Sequence, residues 1–240
     1  MKKILITRPA DVSREFADKI KSNGLEAVIA PMLRTKALEN VIFMERMAED
    51  GFIFTSPRAV KYFADIGDHI NKKLPVYCVG PKTEHAARNA GFEDINTSSG
   101  GGQELASLLV KRYTEGAKLL HPCGEFVEDG FYKTLSKHDI EVAPLVVYTM
   151  EPIDKMTEDT LCEIRTDDIL AAVFFSTRTA ENFNHLVKLH GLEDHLQQMQ
   201  AVCISKNVAT ALNQDNWQDV IVSDRMNEAA LLKSLNRLNG

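Results

Sequence analysis

Neither of the common phosphate-cradling fingerprints occurs in these 240 residues: there is no Gly-x-Gly-x-x-Gly and no Gly-x-x-x-x-Gly-Lys-[Ser/Thr]. A nucleotide-dependent enzyme therefore lacks its usual signal. Cysteine is scarce, with Cys78, Cys123, Cys162 and Cys203 far apart and no Cys-x-x-Cys pair. That pattern excludes a disulfide framework or a structural zinc site and fits reduced thiols in a cytoplasmic protein. His185, His190 and His195 recur every five residues, which scatters them around a helix, whereas metal-ligand pairs on one face need a spacing of three or four. No metal is implied. The longest unbroken apolar run, Ile169 to Phe175, has seven residues, far below the roughly 20 of a membrane span. After Met1-Lys-Lys only Ile4, Leu5 and Ile6 precede Thr7, so no signal peptide is expected. There is no Gly-x-Ser-x-Gly elbow and no low-complexity linker. A net charge of −6 argues against nucleic acid or an anionic membrane as the main partner, although a small anion can still be held by backbone amides and a few cations.

What the chain does have is an internal repeat. Phe54-Thr-Ser-Pro-Arg-Ala-Val-Lys-Tyr-Phe63 recurs as Phe174-Phe-Ser-Thr-Arg-Thr-Ala-Glu-Asn-Phe183, with Phe54, Ser56, Arg58 and Phe63 each falling on an identical residue. Val76-Tyr-Cys-Val-Gly-Pro-Lys-Thr83 echoes Ala201-Val-Cys-Ile-Ser-Lys-Asn-Val208, and Lys3-Ile-Leu-Ile-Thr-Arg8 echoes Lys118-Leu-Leu-His-Pro-Cys123. A period near half the chain is too long for a solenoid. It predicts a duplicated α/β unit, hence two similar lobes with a site between them.

Short apolar runs alternate with helical periodicity throughout, the pattern of βαβ units and parallel sheets. Strands are predicted near 3–7, 25–30, 51–55, 75–79, 93–97, 117–121, 140–148, 169–175, 200–204 and 218–222, as two open sheets of about five. Helices are predicted near 11–23, 40–49, 57–66, 81–90, 102–112, 125–138, 153–164, 177–189, 206–213 and 227–237. Composition changes at Pro31 to Ala37 and at Val147 to Pro152, each after an extended apolar run, and two crossings there would make a hinge. In parallel sheets ligands bind outside the carboxyl ends of the strands. This chain places Thr55-Ser56-Pro57, Gly80-Pro81 with Thr83, Thr97 to Gly102, and Ser176-Thr177 at those junctions. Each alone is an ordinary helix start; their convergence on one sheet edge, where helix N-termini favour anions, makes them a candidate site. Tyr148 ends the run Leu145-Val-Val-Tyr at the second composition change, where it either fills the hinge or presents a phenol as hydrogen-bond donor or weak general acid.

Read together, these residues resemble the uroporphyrinogen-III synthase family. The matching signatures are Ile4-Leu-Ile-Thr-Arg-Pro9, Phe54-Thr-Ser-Pro-Arg-Ala-Val60, Val79-Gly-Pro-Lys-Thr83 and the Ser/Gly turn before Glu104-Leu105. In the second half they are Leu120-His-Pro-Cys-Gly124, Val147-Tyr-Thr149, Phe174-Phe-Ser176 and Cys203-Ile204 with Ala209 to Leu212. Each motif is loose, and their order along nearly the whole chain carries the resemblance. It implies an α/β protein of two similar flavodoxin-like lobes with parallel sheets, joined by a two-strand hinge. Residues 1–34 and 152–240 would form one discontinuous lobe and 38–146 the other, with hinge strands near 33–38 and 146–152.

The implied activity is that of a cofactor-independent lyase. It cyclises hydroxymethylbilane to uroporphyrinogen III with loss of water and inversion of the last ring, as a step of tetrapyrrole and heme biosynthesis. Carried over by position, Tyr148 would assist departure of the hydroxyl, since a free phenol keeps its proton at neutral pH. Thr55, Ser56, Thr83, Gly101 and Ser176 would bind propionate and acetate groups, and Arg8 would supply a cation. The second half departs from the family pattern: where a Gly-Pro-x-Thr turn is usual, it has Ser205-Lys206-Asn207-Val208, so that Ser205 or Asn207 would cap the helix and take over the contact. The implied partners are the linear tetrapyrrole and, transiently, hydroxymethylbilane synthase; the default state is a monomer in the cytoplasm. The alternative is a non-catalytic two-lobe protein that binds small anions or regulates, on the same scaffold.

Overall fold

The structure is a computed structural model that describes residues 2–43, 48–67, 70–114, 116–125, 127 and 130–238. Its chain divides into two compact units, residues 1–35 with 151–240 and residues 36–150. The first contains β1 (Lys3–Ile6), α1 (Ala10–Ser22), β2 (Glu26–Ile29), α6 (Glu158–Arg165), β9 (Ile169–Phe174), α7 (Thr177–His190), α8 (Glu193–Leu196), β10 (Gln200–Cys203), α9 (Lys206–Thr210), β11 (Asp219–Val222) and α10 (Glu228–Leu238). The second contains β4 (Gly51–Phe54), α2 (Pro57–Ala64), β5 (Val76–Val79), α3 (Gly80–Asn89), β6 (Ile95–Ser98), α4 (Gly102–Arg112), β7 (Ala117–Gly124) and α5 (Gly130–Ser136). The chain crosses between units within β3 (Leu33–Ala37) and within β8 (Ile140–Pro152).

The first sheet has the order β11-β10-β9-β1-β2, and the second has β3-β8-β7-β4-β5-β6. Within the first unit's own chain order its layout is 2-1-3-4-5, that of flavodoxin-like folds. Reading outward from β4, the second sheet places β5 and β6 on one side and β7 and β8 on the other. Reading outward from β9, the first places β10 and β11 on one side and β1 and β2 on the other. The two sheets therefore share one layout, circularly permuted. The three sequence echoes pair β4 with β9, β5 with β10 and β7 with β1, which are the equivalent positions in space. Carrying β1 and β2 at the front of the chain is what makes the first unit discontinuous.

Local physics explains why these segments take their forms. Residues of β9 are buried except for partly exposed Leu170, and Gly51 to Phe54 are all buried, because helices cover both faces of a parallel sheet; the runs are therefore apolar throughout rather than alternating. Phe52, Phe54, Phe63 and Phe92 interlock on one face of the second sheet, with Ile53, Tyr77, Leu105, Leu109 and Phe131 on the other. In the first unit Leu5, Phe174, Phe183 and Trp217 fill one face, and Ile4, Ile6, Phe16, Ile20 and Leu235 the other.

Three elements differ from expectation. Residues 40–43 and 48–49 of the expected helix over 40–49 form turn, bend and irregular chain, and residues 44–47 lie outside the described set. Asn40 has φ +58°, a left-handed turn that a helix cannot continue through. The helix expected over 125–138 is described only as α5, with 126, 128 and 129 outside the described residues. The stretch at 33–37, missing from the ten strands predicted by pattern but expected as a hinge strand from the resemblance, is a full strand, so the second sheet has six strands rather than about five.

One side chain ties both crossing segments to the first unit. Asn182 of α7, 9% exposed, donates from Nδ2 to the carbonyl of Met32 (2.7 Å) and to that of Ile153 (3.1 Å). Its counterpart in the repeat is Tyr62. Asn182→Leu strips a donor from buried carbonyls and is expected to cost about 2 kcal/mol. Trp217, the single tryptophan, lies against Phe183 inside this unit, so its fluorescence reports the unfolding directly. An unchanged midpoint would show that the two carbonyls do not depend on Asn182.

Candidate functional site

Parallel strands deliver their carboxyl ends to one edge of each sheet, and the hydroxyl-bearing junctions follow. In the second unit that edge carries a cavity of about 280 Å³, lined by Thr55, Ser56, Gly102, Cys123, Gly124 and Tyr148 together with apolar side chains. Ser56 has extended backbone and accepts the Ala59 N–H at 3.2 Å, capping α2, while Pro57 occupies the first helical position where no donor is needed. The Ser56 hydroxyl lies 3.4 Å from the Tyr148 hydroxyl.

Tyr148 reaches that position through an irregularity in the β7–β8 ladder. Pairing runs in step from Ala117 with Ile140 to Cys123 with Val146, and then Gly124 pairs with Tyr148, skipping Val147. One extra residue in a strand re-aims the side chain that follows it. The ring then lies directly over Gly124: a Cβ there would stand 2.8 Å from the ring's Cζ and 3.0 Å from its oxygen. Tyr62 flanks it at a centroid distance of 5.5 Å, the Glu125 N–H donates to the Tyr148 carbonyl at 3.2 Å, and the Thr149 hydroxyl donates to the Glu125 carboxylate at 2.5 Å. The phenol is thus held by Ser56, Gly124 and Tyr62, and its backbone by Glu125.

Beneath the same cavity lies a buried polar chain. Thr55 Oγ1 is 3.0 Å from His121 Nε2, and His121 Nδ1 meets the Tyr132 hydroxyl. His121 is fully buried on β7, with the Phe131 ring edge-on at 5.3 Å. Burial disfavours the imidazolium and pushes its pKa down to about 4.

The other expected residues distribute as follows. Gly101 is the exposed residue preceding α4, and nothing lies within 4 Å of where its Cβ would be. Thr83 is 2% exposed, inside α3. In the first unit, Ser176 accepts from the Thr179 N–H at 3.3 Å and Ser205 from the Val208 N–H at 3.4 Å, capping α7 and α9. Ser205 and not Asn207 makes the cap; Asn207 is exposed in the first turn of α9. Arg8 sits at the same edge, its guanidinium over the rings of Phe175 (4.3 Å) and Phe16 (5.2 Å) and 3.0 Å from the Glu228 carboxylate. Burial works to raise the Glu228 pKa, but the Lys19 hydrogen bond and the Arg8 charge outweigh it and hold the carboxyl low. The Arg8 charge is therefore already engaged by Glu228.

His121, Cys123, Gly124 and Tyr132 were not singled out as site residues from sequence. The motif Leu120-His-Pro-Cys-Gly124 contains three of them, but nothing in it shows that His121 meets Thr55, 66 residues away.

The depressed His121 pKa makes stability depend on pH. Unfolded, the imidazole titrates near 6.5; folded, near 4. Between those values the unfolded chain binds more protons, so stability is complete above about 6.5 and is lost as pH falls towards 4, by on the order of 3 kcal/mol. His121→Gln is expected to flatten the pH dependence of the melting temperature in that window. An unchanged slope would place the titration elsewhere.

Comparison with known proteins follows the same lines. A family model described as uroporphyrinogen-III synthase HemD matches residues 14–233. A curated porphyrin biosynthesis protein HemD of Ruminiclostridium josui is 24% identical over 236 residues, covering 91% of this chain and 45% of its own. The chain thus spans about half the length of that relative. Among solved structures, uroporphyrinogen-III synthetase from Helicobacter pylori is similar at TM-score 0.60 and 16% identity, over 99% of this chain and 100% of that one. A mutant uroporphyrinogen III synthase from Thermus thermophilus is similar at TM-score 0.51 and 16% identity, over 100% and 99%. At such identity the solved structures speak for the two-sheet α/β fold. With the family model matching 14–233, the chain belongs to the uroporphyrinogen-III synthase HemD family.

Proposed function

We propose that this protein is a cofactor-independent lyase that closes hydroxymethylbilane to uroporphyrinogen III, with Tyr148 at the departing hydroxyl. The observation that carries the reading is the Tyr148 phenol, fixed over Gly124 and 3.4 Å from the Ser56 hydroxyl on the wall of the 280 Å³ cavity. A volume of that size suits one substituted pyrrole rather than four, since sites for drug-sized ligands start at about 300 Å³. The hydroxymethyl-bearing ring enters, and the remaining rings stay outside.

The chemistry asks for position more than for strong acids. Electrons of the pyrrole expel the hydroxyl, which leaves as water once it takes a proton, and an azafulvene results. The far terminal ring then attacks through its substituted carbon, and the spiro intermediate fragments and recloses with that ring inverted. Closure without inversion competes in free solution, so holding the inverting geometry is itself catalytic. Tyr148 donates to the departing oxygen, and Ser56 lies beside it as a second hydroxyl. Thr55, Ser56 and Gly101 in one unit, and Ser176 and Ser205 in the other, mark helix starts whose amides suit scattered carboxylates. Thr83 and Arg8 contribute through support of α3 and of the β1 end, because one is buried and the other is paired with Glu228. Asn207, exposed on α9, stays a candidate carboxylate contact. The same reading takes the protein to be a cytoplasmic monomer, with four free thiols, whose substrate comes from hydroxymethylbilane synthase by transient contact.

The test generates hydroxymethylbilane in situ, adds the protein without cofactor, oxidises the product and resolves the isomers chromatographically. Isomer III is expected; isomer I alone would leave the non-catalytic anion-binding alternative standing. In the same assay Tyr148→Phe is expected to lower kcat by about 10²-fold or more, in the range of general acid contributions. Gly124→Ala, which pushes the ring off its seat, is expected to do comparable harm while the fold survives. Full activity in Gly124→Ala would show that the position of Tyr148 does not matter.

A further inference from the structure

His121 is buried on β7 among Thr55, Tyr132 and Phe131, and the reading above gives it no task. A neutral imidazole has one donor nitrogen and one acceptor nitrogen, and each nitrogen here faces a hydroxyl. Two arrangements are possible, and the hydroxyls differ in chemistry. A phenol, with pKa near 10, is a far better donor than an aliphatic alcohol and a poorer acceptor. The acceptor nitrogen therefore belongs opposite Tyr132: its O–H donates to Nδ1, and the Nε2–H donates to Thr55 Oγ1. Once Thr55 accepts from the imidazole, its own hydrogen is free to point elsewhere, and Thr55 lines the 280 Å³ cavity. Successive hydrogen bonds of one sense also polarise each other.

We propose that His121 is a positioning residue, held by Tyr132 in the Nε2–H tautomer, that makes Thr55 an obligatory hydrogen-bond donor to an oxygen acceptor of the ligand in the cavity. The acceptor is a carboxylate or hydroxyl oxygen, and its assignment to the bilane rests on the synthase reading; the tautomer does not. Desolvation keeps the imidazole neutral through the physiological range, so the order of donors does not reverse as pH changes. Tyr132 also lines a neighbouring cavity of about 500 Å³ with Cys123, Glu125 and Lys133.

Two measurements test this. Long-range nitrogen–proton correlation on protein labelled with nitrogen-15 at histidine reads the His121 tautomer without any substrate. An Nε2–H signal at neutral pH that holds down to about pH 5 is expected; an Nδ1–H signal, or titration at the ordinary histidine value, overturns the proposal whatever the reaction is. Kinetics with preformed hydroxymethylbilane give the second test. Thr55→Val and His121→Leu are each expected to raise KM about tenfold, the worth of one hydrogen bond, and the double variant no more than either single. His121→Gln, whose amide keeps a donor directed at Thr55, is expected to recover most of the loss. Multiplying effects in the double variant, or an unaltered KM in His121→Leu, overturns it. Should His121→Leu fail to fold, Tyr132→Phe replaces it: a mixed tautomer signal with a raised KM supports the proposal, and an unmixed Nε2–H signal overturns the role of Tyr132. Absence of isomer III from the unaltered protein would count against the synthase reading alone.

Discussion

The pairing of Gly124 with Tyr148, one residue out of step with the rest of the β7–β8 ladder, is the constraint on which the site depends. In a regular ladder Gly124 would face Val147, and the phenol would follow the alternation of the strand. The skipped residue turns the ring onto β7, and a glycine is needed beneath it because any Cβ would come within 3 Å of the ring. The contacts to Ser56, Tyr62 and Glu125 then complete a socket rather than create one. β8 lies between β3 and β7 in the second sheet and continues from the second unit into the first.

Duplication explains much of the remaining layout. Two sheets of one strand arrangement, permuted, put equivalent serines before α2 and α7 in the same capping geometry. The copies then diverged in what surrounds those serines. Beside Ser56 lie Tyr148 and the Thr55–His121–Tyr132 chain; beside Ser176 lie Phe175 and the Arg8 guanidinium stacked on it. The repeat position of Tyr62, which flanks the Tyr148 phenol, is Asn182, which binds the two crossing segments. One copy gathered a tyrosine and a polar chain at its sheet edge, and the other acquired the side chain that holds the segments flanking β3 and β8.

Much of this was legible in the sequence because the signals are local. The apolar runs became strands, and Ser56, Ser176 and Ser205 became caps, since a cap bonds an amide only three residues on. The repeat revealed the duplication because buried strands keep their phenylalanines. What escaped depends on contacts between distant residues or on backbone detail. Leu145-Val-Val-Tyr148 reads as an unbroken strand, and nothing in four apolar residues marks a skipped pairing. His121 looked like one residue of a loose motif because Thr55 is 66 positions away. Arg8 could be read either as a cation for the ligand or as a salt-bridge partner, and its partner was not legible because Glu228 is near the other end of the chain. Thr83 suited a helix start by spacing, yet packing of α3 leaves it only 2% exposed. The expected helix over 40–49 had suitable periodicity, but the left-handed Asn40 rules out a helical start there, and the described residues 41–43 and 48–49 are not helical.

The central claim is that one ring of the ligand sits in the second unit's cavity with its reacting carbon against Tyr148. A crystal structure of the protein with the reaction product bound tests it most directly. The account predicts a pyrrole ring between Ser56 and Gly102, with the bridging carbon formed in the reaction facing the Tyr148 oxygen and separated from it by no more than the space the departed water held. Product bound at another surface, with that cavity left empty, would contradict it.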